Sequence, residues 1–143
     1  MSHPELTNDL TAEELIQLRY TALDEQNFSL LYASYHPEAP FLEQFPNVMV
    51  YLEFAAQSLS DVRLCEILVG LSRATTEGIE VICSLRFELR ARVQTLYELA
   101  LLMPTEAGWR YHSAQKLSDE DFQGEFAALD FVHFDQQSPR IIF

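Results

Sequence analysis

The stretch Ile79-Glu80-Val81-Ile82-Cys83-Ser84-Leu85-Arg86-Phe87-Glu88-Leu89-Arg90 sets the class of the fold. Val81, Cys83, Leu85, Phe87 and Leu89 alternate with Ile82, Ser84, Arg86, Glu88 and Arg90. A period of two is the mark of a half-buried strand, since successive side chains point to opposite faces of a sheet.

Working outward, the pattern repeats. A third strand is expected from about Val93 to Met103, and Pro104-Thr105-Glu106-Ala107-Gly108 turns the chain into a fourth, Trp109 to Leu117. Upstream, a first strand runs from about Val62 to Arg73 and meets the second through Thr75-Thr76-Glu77-Gly78. A hairpin symmetric about Arg92 sets Phe87 against Tyr97, Leu85 against Leu99 and Cys83 against Leu101. It sets Arg86 against Glu98 and Arg90 against Gln94 on the other, mixed face, as a one-sided sheet requires. The turn has no glycine, which speaks against a tight hairpin there.

Before the strands come helices. Thr11-Ala12-Glu13-Glu14 is a capping box, with Leu10 and Leu15 at the hydrophobic-staple positions. Leu15, Leu18 and Ala22 continue it as an apolar stripe. A short helix with Phe28, Leu31, Tyr32 and Tyr35 on one side stops at Pro37. A third opens around Pro40 and Gln44-Phe45-Pro46 and carries Val48, Met49, Leu52, Ala56 and Leu59. Three N-terminal helices packed on a curved antiparallel sheet of about four strands make an α+β fold with a pocket at its open end.

Residues 1–118 read as this domain and 119–143 as an acidic, phenylalanine-rich extension. Phe122, Phe126, Phe131, Phe134 and Phe143 sit among six acids there, too aromatic for simple disorder. The extension is expected to pack on its own domain or on a dimer partner.

The chain has 143 residues and a formal net charge of −13. Residues 1–60 hold nine acids and one base, Arg19, whereas 61–118 hold seven of each. Such a field repels nucleic-acid phosphates and anionic membranes, and no basic stripe offsets it. No apolar run reaches a membrane span, and Met1-Ser2-His3-Pro4-Glu5 lacks the features of a signal peptide. The expected location is cytoplasmic. Cys65 and Cys83 match no zinc or redox spacing and read as two buried thiols.

Beyond the periodicities, a series of short motifs is similar to one bacterial family. Leu15-Ile16-Gln17-Leu18-Arg19-Tyr20-Thr21-Ala22-Leu23 looks like the first helix of the YchJ-like proteins. Tyr35-His36-Pro37, Arg86-Phe87, Glu98 and Trp109 with Tyr111 resemble later landmarks of that family, in order, over residues 12–114. The resemblance implies a nuclear transport factor 2-like domain, a cystatin-like cone, without the family's cysteine-rich metal-binding segment. Ala100, Leu102 and Ser113-Ala114 depart from its pattern. It implies no activity, because proteins of this fold range from isomerases to assembly modules.

The residues expected to meet in the pocket are Tyr20, Tyr32, His36, Tyr51, Tyr97, Trp109 and Tyr111, a lining suited to a small, mostly apolar ligand. Arg86, Arg90 and Glu98 are the candidates for a homodimer contact. Arg19 is expected to neutralise Glu14 or Glu25, with an anion at the pocket mouth as its alternative partner. The chain has no His-x-His, Glu-x-x-His or Cys-x-x-Cys, no nucleophile elbow and no phosphate loop, so no metal or cofactor is expected. The reading that follows is a domain binding a small ligand or a protein, without catalysis. Its alternative is an isomerase, dehydratase or hydrolase with His36 as base.

Overall fold

The computed structural model describes residues 5–135. The sequence readings on Met1 to Pro4 and on Phe143 fall outside them. Helix α1 spans Ala12–Asp24, α2 Phe28–Ala33 and α3 Val48–Ser58, with a 3-10 helix over Pro40–Gln44 between the last two. Four strands follow: β1 Arg63–Ala74, β2 Ile79–Leu89, β3 Arg92–Thr105 and β4 Gly108–Ser118. They form one antiparallel sheet in sequence order. The α+β class and the meander are those the periodicities require.

The capping box forms as the sequence dictates. Thr11 Oγ1 accepts from the Glu14 N–H at 3.1 Å, and Glu14 Oε1 accepts from the Thr11 N–H at 2.9 Å. The third helix starts later than expected. Its cap is Asn47, whose Oδ1 accepts from the Val50 N–H at 3.1 Å, and the prolines before it serve the separate 3-10 turn.

The register of the β2–β3 hairpin differs from the expected one. Leu89 pairs with Arg92, Leu85 with Leu96 and Cys83 with Glu98. The turn is the two residues Arg90 and Ala91, both with left-handed backbone, φ 54° and 66°. Two central residues with positive φ suit the right-handed twist of a tight hairpin, normally at the cost of requiring Asn or Gly. Here Arg and Ala take that conformation. The partner of each β2 residue therefore moves by three, an odd number, and an odd slip exchanges the faces of β3. Glu98 and Ala100 turn to the helices, and Tyr97 and Leu99 turn away. Arg86 pairs with Thr95, not Glu98.

Two cores result. On the helix face, Ala12, Leu15, Ile16 and Tyr20 of α1 pack against Val81, Cys83, Leu85, Ala100, Leu102, Tyr111 and Ala114. On the outer face, Ile82, Tyr97, Leu99 and Leu117 are covered by Phe122, Leu129 and Phe134 from the segment after β4. That segment includes a short helix α4, Phe131–Asp135. It crosses the sheet to its far edge, where the Phe126 ring lies so close to Gly70 that a side chain there would meet it at 2.9 Å. The Arg73 guanidinium stands 4.1 Å from the Phe131 ring centroid. Each apolar side chain buried this way contributes about 1.5–3 kcal/mol.

Of the two cysteines expected to be buried, Cys83 is and Cys65 is exposed. Cys65 lies at a register shift between Leu64 and Glu66 on the edge strand β1, which has a neighbour on one side only.

Replacing Arg90-Ala91 by Asn-Gly should stabilise the protein, because the left-handed backbone costs L-residues roughly 1–2 kcal/mol each and Asn and Gly much less. A rise in the urea midpoint is the expected result; an unchanged or lower midpoint would show that the turn is not held as described. Truncation after Ser118 should uncover Ile82, Tyr97, Leu99 and Leu117 and lower the melting temperature by many degrees, read by circular dichroism.

Candidate functional site

The helix face does not close completely. A cavity of about 330 Å³ remains between α1, the α2 and α3 region and the sheet. Its walls are mainly apolar, with Leu31, Phe41, Phe54, Val62, Leu85 and Leu96 among them. Polar or charged groups from α1 and the sheet enter it, Arg19, Tyr20, Glu98, Tyr111 and Lys116 among them. This is the composition of a small-molecule site, an apolar body with a few placed polar tips.

Glu98 is 3% exposed. It is there because of the hairpin register, which sets it beside Cys83 on β2 and Lys116 on β4. The Tyr20 hydroxyl donates to Glu98 Oε2, and Lys116 Nζ lies 3.6 Å from Oε1. The Cys83 thiol is 3.8 Å from Oε2. Burial, and then the carboxylate, push the Tyr20 phenol and the Cys83 thiol well above their ordinary pKa values.

Arg19 is 7% exposed and makes no ion pair with Glu14 or Glu25. Among the described residues no carboxylate lies within 4.0 Å of it. Its guanidinium sits in the corner of two tyrosine rings, 4.4 Å from the Tyr35 centroid and 3.7 Å from the Tyr111 centroid. The rings meet at 82°. Nη1 donates to Ser34 Oγ at 2.7 Å, and Ser34 Oγ donates to the Leu31 carbonyl at 2.6 Å. Burial opposes the charge, but the phenols of Tyr35 and Tyr111 outweigh it, and the pKa of the group moves up.

The backbone holds this corner. The Tyr111 N–H donates to the Ser34 carbonyl at 2.9 Å, and the His36 N–H donates to the Tyr111 carbonyl at 2.8 Å. Tyr35 thus forms a parallel bridge to Tyr111, and the end of α2 becomes a one-residue extension of the sheet beside β4. Tyr111 is fully enclosed, and burial, followed by the Glu98 charge, raises its phenol pKa well above normal.

Of the residues expected in the pocket, Tyr20 and Tyr111 line it and the others do not. Tyr51 is buried among Tyr32, Tyr35, Phe45 and Phe54 behind the wall. Tyr97 lies on the outer face against Phe122, carried there by the register. Trp109 packs at the edge of the helix-face core. His36 is buried beside His112, ring centroids 5.9 Å apart, and its Nδ1 accepts from the Glu38 N–H at 3.0 Å. Burial, then the neighbouring His36, lower the His112 pKa. Arg86 and Arg90 are exposed. Glu98, expected with them at a surface contact, is inside the cavity. The sequence reading missed Tyr35 and Lys116 as site residues. Tyr35 carried a signal, its place three residues after Tyr32 on an aromatic helix face.

Among the described residues no group of three or more histidine, cysteine or acidic side chains is placed to hold a metal ion. No helix among them is long and apolar enough to cross a membrane. No family model matches the sequence, and neither the curated proteins nor the solved structures contain a match to it.

Two outcomes follow from the burial of these groups. Cys65 should react at once with a thiol reagent in the native protein and Cys83 only after unfolding; two fast thiols would contradict the enclosed site. The raised pKa values of Cys83, Tyr20 and Tyr111 also carry a sign. These groups keep their protons in the folded chain and lose them in the unfolded one, so their contribution is complete at neutral pH and falls as pH rises. Stability should decline above roughly pH 9, by about 1.4 kcal/mol per pH unit for each group that ionises only on unfolding. Urea midpoints between pH 8 and 11 measure this.

Proposed function

We propose that the protein is a binding module of the nuclear transport factor 2-like cone type, whose cavity takes a small molecule with a mostly apolar body. The observation that carries this reading is the cavity itself: about 330 Å³, apolar over most of its wall, with Arg19, Tyr20, Glu98 and Lys116 entering it. Cavities from about 300 Å³ upward accommodate small organic ligands. The ordered resemblance to the YchJ-like proteins along α1, Tyr35-His36-Pro37, Glu98 and Trp109 supports the cone. Arg19, Tyr20, Tyr35 and Glu98, all within those motifs, line the cavity.

The neutral fluorophore N-phenyl-1-naphthylamine tests it. Uptake should raise its emission, and Leu96→Trp, which fills the cavity from β3, should weaken uptake at least about tenfold, the equivalent of 1.4 kcal/mol. Equal uptake by the variant would place the dye on the surface and remove the support for a ligand cavity.

One observation favours acid–base chemistry instead: Glu98 is a carboxylate inside the cavity, hydrogen-bonded to a phenol. In that reading the chain is an isomerase, dehydratase or hydrolase, and its base is Glu98 rather than His36, which does not line the cavity. Tyr20 holds Glu98 Oε2 and Lys116 lies 3.6 Å from Oε1, so both carboxylate oxygens already have partners and neither is free to take a proton from a ligand. Binding therefore stands first. Ring opening of 5-nitrobenzisoxazole needs only a positioned carboxylate base. Under the enzyme reading Glu98→Gln lowers that rate by about 10²–10⁴-fold; a wild-type rate no higher than that of free acetate ends it.

A further inference from the structure

Among the described residues three charged side chains line the cavity: Arg19, Glu98 and Lys116. Glu98 and Lys116 face each other at 3.6 Å. Arg19 has no carboxylate within 4.0 Å among the described residues, although it is 7% exposed. A buried charge with no ionic partner is costly unless something supplies the opposite charge. Two tyrosine rings supply part of the compensation, since a cation close to an aromatic face is attracted by its quadrupole. They leave Arg19 itself without a carboxylate among the described residues, in a protein whose formal net charge is −13.

The geometry also limits how that charge can be met. Tyr35 and Tyr111 take two sides of the guanidinium, and Ser34 takes Nη1. What remains is donor edge, and Arg19 is part of the cavity wall. A guanidinium carries five N–H donors in a planar fork, and its natural partner along an open edge is a carboxylate held by parallel hydrogen bonds. The bridge between Tyr35 and Tyr111 fixes the corner before any ligand arrives. No ordering of a flexible side chain is then needed on binding.

We propose that the cavity selects monoanionic organic acids, a single carboxylate on an apolar body, with Arg19 holding the carboxylate and Leu31, Phe54, Val62, Leu85 and Leu96 holding the body. This inference rests on the reading of the cavity as a ligand site and names the ligand class. One carboxylate gives Arg19 the counter-charge that no described residue supplies. The role of Arg19 is anion recognition, distinct from a purely structural pin between α1 and β4.

Calorimetric titration of the full chain with octanoate and 4-phenylbutanoate, each against its own primary amide, tests it at neutral pH. The carboxylates should bind about tenfold or more tightly than the amides, as expected for hydrogen bonds to a charged group. Arg19→Met should abolish that preference while the amides still bind. If carboxylates and amides bind wild type equally, the anion assignment is overturned and the cavity reading stands. If neither class binds, both are overturned. If Arg19→Met keeps the preference, another group recognises the anion and the assignment to Arg19 fails. Should that variant not fold, the wild-type comparison of acid with amide remains decisive for the ligand class.

Discussion

The pairing of Cys83 with Glu98 is the constraint from which the site follows. A two-residue turn at Arg90 and Ala91 fixes the β2–β3 register, and an odd register decides which side of β3 meets the helices. Had the hairpin closed around Arg92, Glu98 would lie outside and Tyr97 inside. The helix-face core would then hold one more aromatic ring and no acid. Instead a carboxylate is carried into an apolar enclosure, and three groups converge on it: a phenol from α1, an ammonium from β4 and a thiol from β2. The polar character of the cavity comes from backbone conformation at a turn some distance away along the strands.

The charges in the cavity are stabilised by different means. Glu98 has direct partners, as buried carboxylates require. Arg19 has aromatic faces and one serine hydroxyl. The second arrangement depends on the end of α2 pairing with β4, because that bridge sets Ser34 and Tyr35 beside Tyr111. Helix and sheet are thus joined on both sides of Arg19, by backbone hydrogen bonds on one side and by the α1 packing on the other. The cavity is bounded by parts whose positions depend on each other, which favours one preformed shape.

The fold was legible where local chemistry acts alone. Thr11 and Glu14 announced α1, the alternation from Val81 to Leu89 announced β2, and Pro104 to Gly108 announced the third turn. The register of β2 on β3 was not legible, because Arg90-Ala91 carries none of the Asn or Gly signals of a tight turn. The misplacements on β3 descend from that. Tyr97 was placed in the pocket and Glu98 at a surface because both sit on β3 and exchange faces together. His36 and Tyr51 went astray for another reason: aromatic and histidine positions on short helices have no periodicity strong enough to separate the inner wall of a cavity from its packing behind. Arg19 read as a lone base among acids, set to neutralise Glu14 or Glu25 or to hold an anion at the pocket mouth. Its burial depends on Ser34, Tyr35 and Tyr111, which lie far along the chain and which no spacing rule connects to it.

The segment that covers the outer face has a consequence for how the molecule is made. Synthesis proceeds from the N-terminus, so the three helices exist before any strand, and the helix-face core can close as each strand is added. Ile82, Tyr97, Leu99 and Leu117 have no such advance cover. Their lid, Phe122 to Phe134, is translated only after the whole sheet. A nascent chain ending at β4 therefore presents a broad apolar face and an open strand edge, the combination that draws unfinished chains together. A chain cut short at β4 would keep that face uncovered for good, so the last stretch of sequence guards against self-association as well as adding stability.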